Sequence, residues 1–162
     1  FAVDRTYMME DEFENDPRPI ATITLSDDNF GMYQMANGLS RIATRFWGAN
    51  HLIEDAQEKI GKPLEAAEAE DLGLVTIILD DIDWEDELRI FAEERASYSP
   101  DAMTGMEANL RFAGPETMET RIFGRLTAWQ NWIFTRPNAV GADGALQRYG
   151  SGKRGNYNMD RV

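Results

Sequence analysis

The chain has 162 residues, 43% of them hydrophobic, enough for one core. Its formal charge of −13 is unevenly spread: residues 1–135 hold 27 acidic and 11 basic side chains, whereas 136–162 hold 2 and 5, so the body repels phosphate polymers and nucleic-acid binding by it is not expected. With no cysteine there are neither disulfides nor thiolate metal sites, and with no run near the ~20 apolar residues of a membrane span the expected setting is the cytoplasm.

Residues 1–9 read as a strand that starts without a polar lead-in, as inside a larger protein, and 20–25 (Ile-Ala-Thr-Ile-Thr-Leu) as a second. Between them, 10–19 carries five carboxylates and two prolines and reads as a solvated loop. A helix is expected over 35–47, with Leu39, Ile42, Ala43 and Phe46 inward, Arg41 and Arg45 outward and Gly48 as its stop. Shorter helices follow at 51–60 and at 63–72, the latter with Pro63 in its first turn. The single His51 lacks a second ligand and reads as a surface residue.

Residues 74–79 form an apolar, strand-length run. Asp80, Asp81 and Asp83 then open a helix over 84–97 rather than a metal site, because carboxylates favour the positive end of a helix dipole. Ser99-Pro100-Asp101 starts another, reaching about 112 with Met103, Met106 and Leu110 inward. From 114 to 137 the spacing predicts one long amphipathic helix: Met118, Ile122, Leu126, Trp129 and Ile133 fall at steps of four, four, three and four. Phe123, Trp132 and Phe134 widen its stripe beyond what one neighbour covers. A short helix is expected around 142–149, and 151–162 has no periodicity. The expected architecture is α/β: an α/β unit over 1–79, a helical region over 80–150, and a flexible basic tail over 151–162 in which Lys153 and Arg154 between glycines suit a phosphate or an acidic surface.

No triad, phosphate loop or dinucleotide motif can be assembled, but at 24–41 a strand ends at carboxylates and a glycine-bearing segment leads to a helix. In open α/β sheets ligands gather beyond strand ends. This stretch resembles the crotonase (enoyl-CoA hydratase/isomerase) superfamily motif, in which Pro-Glu and a Gly precede Gly-Gly-x-x-Arg-Leu. Ser26-Asp27 stands at the Pro-Glu position, Gly31 at the Gly, Asn37-Gly38 at the pair and Arg41-Ile42 at Arg-Leu. Ala-Ala-Glu-Ala-Glu-Asp-Leu-Gly-Leu-Val at 66–75 is similar to the superfamily's Ala-x-Glu-Ala-x-x-x-Gly-Leu-Val. Asp27 is one methylene shorter than the glutamate it replaces, and Gln34 stands where a proline precedes the glycine pair.

Longer strings, among them Gly105-Met106-Glu107-Ala108-Asn109-Leu110-Arg111-Phe112 and Arg125-Leu126-Thr127-Ala128-Trp129-Gln130-Asn131-Trp132-Ile133-Phe134, resemble the C-terminal portion of a longer family within the superfamily. Its members open the ring of 2,3-epoxybenzoyl-CoA in aerobic benzoate degradation. The resemblance implies a crotonase-like ββα unit, a lyase and hydrolase releasing formate and a semialdehyde CoA thioester, and a homo-oligomer. No metal or cofactor is implied beyond the CoA of the substrate, and the missing N-terminal part of the enzyme is the expected partner. Asp27 then has two readings: an acid or base near the thioester, or a helix-approach carboxylate in a piece that is inactive alone. An ordinary hydratase/isomerase, or a structural and assembly unit with no site of its own, are the alternatives.

Overall fold

The computed structural model describes residues 1, 3, 5–10, 17–110 and 114–161. The expected acidic loop thus falls partly, and the expected helix end at 111–112 wholly, outside the described residues. In chain order come β1 (Tyr7–Met9), β2 (Ile23–Thr24), α1 (Asp28–Gly31), α2 (Arg41–Arg45), α3 (Asn50–Gln57), β3 (Pro63–Leu64), α4 (Ala66–Asp71), β4 (Ile77–Leu79) and α5 (Asp81–Ala96). They are followed by α6 (Pro100–Leu110), a π-helical segment (Thr120–Leu126), α7 (Thr127–Ile133), α8 (Pro137–Val140), α9 (Ala145–Arg148) and a 3₁₀ turn (Met159–Arg161). The mixture of helix with a few short strands is α/β. It divides into two compact units, 1–89 and 90–162.

In the first unit β1 lies parallel to β4, Tyr7 opposite Ile77 and Met9 opposite Leu79. Two threonines fasten the entry to this ladder: the Thr6 hydroxyl donates to the Leu74 carbonyl at 2.9 Å and accepts from the Thr76 amide at 3.1 Å. β2 pairs antiparallel with β3, Ile23 opposite Leu64. Both expected strands are real but shorter than their apolar runs. Leu25, Ile42, Leu64 and Leu74 are essentially fully buried with Phe46, Ala69 and Val75 around them. Each large side chain contributes about 1.5–3 kcal/mol by leaving water.

Two helices of this unit depart from expectation at their starts. The helix expected over 35–47 is reduced to α2, because 35–39 closes into a turn: the Met35 amide donates to the Leu39 carbonyl at 2.9 Å, and Gly38 takes φ +78°, a left-handed conformation that costs glycine little. Ser40 then caps α2, its hydroxyl accepting from the Ala43 amide at 3.1 Å. Arg45, expected to face solvent, turns inward: its Nε donates to the Gly73 carbonyl at 2.9 Å and its Nη2 to Thr76 Oγ1 at 3.3 Å. Pro63 pairs in β3 instead of opening a helix, and α4 starts at Ala66.

Helix α5 starts two residues before 83, with the Asp80 carboxylate accepting from the Asp83 amide at 2.8 Å. Its half-buried stripe is Trp84, Leu88, Phe91 and Arg95, with Ala92 exposed.

The long α-helix expected over 114–137 is not a continuous α-helix. Thr117 caps it, its hydroxyl accepting from the Thr120 amide at 3.2 Å, so Pro115 lies outside. From Thr120 to Leu126 the turn is π, and α geometry resumes at Thr127. A π turn holds more residues than an α turn, so residues on its two sides no longer share the face that a 3.6 period assigns them. Met118, Ile122 and Leu126 of the expected inner stripe are exposed, as are Phe123 and Phe134.

Candidate functional site

Asp27 follows β2 by three residues. Leu25 between them is buried, and its carbonyl accepts from the Gly61 amide at 2.9 Å, which fixes the direction in which the chain leaves the sheet. Asn29 closes the next turn: its side-chain oxygen accepts from the Ser26 amide at 2.8 Å, and its own amide donates to the Ser26 carbonyl at 3.0 Å. Asp27 occupies the N-cap position of α1 with helical φ −55° and ψ −29°, and only its carbonyl takes part, accepting from the Phe30 amide at 3.1 Å. Its carboxylate caps nothing and stands in solvent, with no donor reaching it among the described residues.

The other motif positions serve the backbone. Asn37 accepts from the Leu39 amide at 3.0 Å, Gly38 supplies the left-handed turn, and Arg41 is the first residue of α2. Tyr33 lies between α1 and α2 at φ +55°, the one non-glycine positive φ among the described residues, with its ring 79% exposed. The structure therefore brings Asp27, Gly31, Asn37 and Arg41 into one exposed segment but sets no acid beside a base there. A proton-transfer group needs a partner within hydrogen-bond reach. His51 is exposed near the start of α3, and among the described residues no three His, Cys, Asp or Glu side chains are placed to share a metal ion.

The second unit holds an arrangement that the apolar pattern did not reveal. The covered face of α6 is Asp101, Gly105 and Asn109, at steps of four, rather than Met106 and Leu110, which are exposed. Opposite stand Arg136, Trp129 and Arg125, running the other way along the chain. Arg136 Nε meets Asp101 Oδ1 at 3.3 Å, the Trp129 ring packs against Gly105, and Arg125 Nη1 donates to the Asn109 carbonyl at 3.0 Å. Glu116 completes the far end, its Oε1 accepting from Arg125 Nε at 3.0 Å.

Trp132 lies edge-on to Trp129, ring centres 5.2 Å apart, and the Arg136 guanidinium sits 4.8 Å above the Trp132 ring. The Asp101 carboxylate is 1% exposed, and its Oδ2 has no hydrogen-bond partner among the described residues. Charges set this helix pairing, so a hydrophobic period alone had no signal for it. The available clue was polar: Asn109 and Arg125 lie inside the long strings quoted above, and Asp101 in the Ser99-Pro100-Asp101 helix start.

No protein-family model matches the chain. Over 162 aligned residues it is 54% identical to a benzoyl-CoA-dihydrodiol lyase of Aromatoleum evansii, a match that takes in 99% of this chain and 28% of that protein. The chain is homologous to part of that lyase and spans little more than a quarter of its length.

Proposed function

We propose that the chain is part of a crotonase-type lyase that opens the ring of 2,3-epoxybenzoyl-CoA, consuming water and releasing formate and a semialdehyde CoA thioester. The observation that carries this reading is the 54% identity along 99% of the chain to a lyase named for a benzoyl-CoA derivative. At that level of identity the same arrangement of buried groups is expected in both proteins, which favours ring opening over an ordinary hydration or isomerisation.

In this reading the chain supplies scaffold, and the reacting groups sit on the portion of the lyase that it does not span. The exposed Asp27 carboxylate supports the division, since a thioester enolate needs donors aimed at its oxygen and a proton-transfer group held against the substrate. The setting proposed is the cytoplasm; among the described residues no helix is long and apolar enough to cross a membrane. Supplying 2,3-epoxybenzoyl-CoA to the full-length protein that contains this chain, and separately to the 162-residue chain, tests both parts. Formate is expected from the first and none from the second. Hydration of a simple enoyl-CoA by the full-length protein without formate release would overturn the ring-opening reading.

A second reading, in which this segment also holds subunits or domains together, is favoured by one observation. Phe123, Leu126 and Phe134 are more than half exposed in the second unit, a cost that a covering partner removes. Sedimentation of the full-length protein carrying Phe123→Glu is expected to show a smaller assembly, and an unchanged one would dismiss the idea.

A further inference from the structure

The second unit contains an open cavity of about 340 Å³ between α9 and the segment that follows it. In a chain with 29 acidic side chains, no carboxylate among the described residues lines this cavity, whereas Arg148, Lys153 and Arg154 do. Lys153 and Arg154 are exposed and have no carboxylate partner among the described residues. Arg148 is engaged on one side by Asp143, while its Nε is buried without an acceptor. Two cations without a carboxylate partner, beside a buried Arg148 Nε that has no acceptor, make an anion site by composition.

Two tyrosines add a second recognition element. Tyr157 lies so close over Gly155 that a Cβ there would meet the end of its ring at 2.4 Å and push it aside. Tyr149 at the rim is 89% exposed, a large flat ring left in water beside the cations. The segment is also held in place: Asn138, 3% exposed, clasps Asn158, donating to its carbonyl at 2.9 Å and accepting from its amide at 2.8 Å.

We propose that this cavity binds a nucleotide, with its phosphates on Lys153, Arg154 and Arg148 and its base against the Tyr149 ring. Aromatic rings beside cations recognise bases and phosphates together, whereas inorganic anions use only the cations. The nucleotide has two possible sources, the adenosine phosphate end of a CoA thioester or a free nucleotide. Only the first rests on the ring-opening reading, and the binding measurement below involves no ring chemistry, so the two fail separately.

The test is calorimetric titration of the 162-residue chain with adenosine 3′,5′-bisphosphate, with CoA and with pyrophosphate. The bisphosphate is expected to bind at least tenfold more tightly than pyrophosphate, and binding is expected to weaken steeply with salt. Lys153→Gln combined with Arg154→Gln, both exposed positions whose fold is checked by circular dichroism, is expected to lower the affinity at least tenfold. Tyr149→Ala is expected to weaken the bisphosphate and leave pyrophosphate unchanged. CoA binding tighter than the bisphosphate identifies the thioester as the source, and equal affinity identifies a free nucleotide. Absence of bisphosphate binding at millimolar concentration, a double variant that binds like the parent, or equal affinity for bisphosphate and pyrophosphate would each overturn the proposal.

Discussion

Asp101 and Arg136, 35 residues apart, meet at 3.3 Å across the pairing of α6 with the helix that precedes α8, and the carboxylate of the pair is almost wholly buried. The partners are unequal, since the Arg136 side chain keeps 24% of its exposure and rests on Trp132. Removing the arginine therefore strands a buried charge, whereas removing the carboxylate charge leaves a cation that can still reach water. Breaking a buried pair from one side costs about 3–5 kcal/mol, so Arg136→Ala is expected near that range. Asp101→Asn, which keeps shape and one acceptor, is expected at about 1–2 kcal/mol. Urea unfolding of both variants checks the order, and equal losses would show that Asp101 is not isolated by its burial.

For Asp27 the expectation concerns rate. An acid or base in the reaction is worth about 10²–10⁴-fold, and a solvated carboxylate that caps no helix is worth almost nothing. Asp27→Asn in the proposed full-length lyase is expected to leave kcat within about twofold, given the exposure and the absence of a donor among the described residues. A hundredfold fall in kcat with the fold intact would make this segment catalytic.

Glycines separate cleanly into required and free positions. A Cβ on Gly144 would lie 2.7 Å from the Ala139 carbonyl oxygen and 2.9 Å from that of Pro137, both backbone atoms that cannot step aside. Gly144→Ala is expected to cost about 1–3 kcal/mol. A Cβ on Gly124, in the π segment, would meet only Thr120 Cγ2 at an ordinary 3.7 Å, so Gly124→Ala is expected to be neutral or stabilising by up to about 1 kcal/mol. Thermal melts of the two variants should move in opposite directions or differ by several degrees.

Glu119 is held below its ordinary value of 4.5, first by its own backbone N–H and then by the Thr117 hydroxyl. A carboxylate depressed by folding contributes stability above its unfolded value, and that contribution disappears as pH falls through the folded value. The window is therefore acidic, below about 4.5. In an NMR titration of the side-chain carboxyl, Thr117→Ala is expected to move the Glu119 midpoint upward.

How far the sequence reached differed between the units. In the first, alternation and apolar runs located every strand except β3, and Ile42, Phe46 and the apolar run from Leu74 were legible as core because burial there follows hydrophobicity. The shortening of α2 was harder to see, since Gly38 and Ser40 act through one dihedral and one hydroxyl inside an otherwise helical pattern. In the second unit the buried positions are Ser99, Asp101, Asn138 and small residues, so apolar spacing placed Trp129 and Ile133 on a covered side but put Met106, Leu110, Met118, Ile122 and Leu126, which are exposed, inward. The π turn compounded this, because i→i+5 bonding changes the period on which the stripe was read. Asp27 was legible as a strand-end carboxylate, but its lack of a cap or partner was a matter of geometry alone.

The parallel pairing of Tyr7–Met9 with Ile77–Leu79 sets a timetable for biosynthesis. Thr6 and Thr76, which lock the two strands together, are 70 residues apart. At ~5–20 residues per second a ribosome needs roughly 4–14 s to deliver the second after the first. During that interval Tyr7–Met9 lacks the ladder partner it has among the described residues, and the β2–β3 pairing and the helices α2 to α4 can form only against an incomplete floor. Unit 1 is therefore expected to need shielding as a nascent chain, and ribosome-stalled lengths ending before Ile77 should be protease-sensitive where those ending well beyond Leu79 are not.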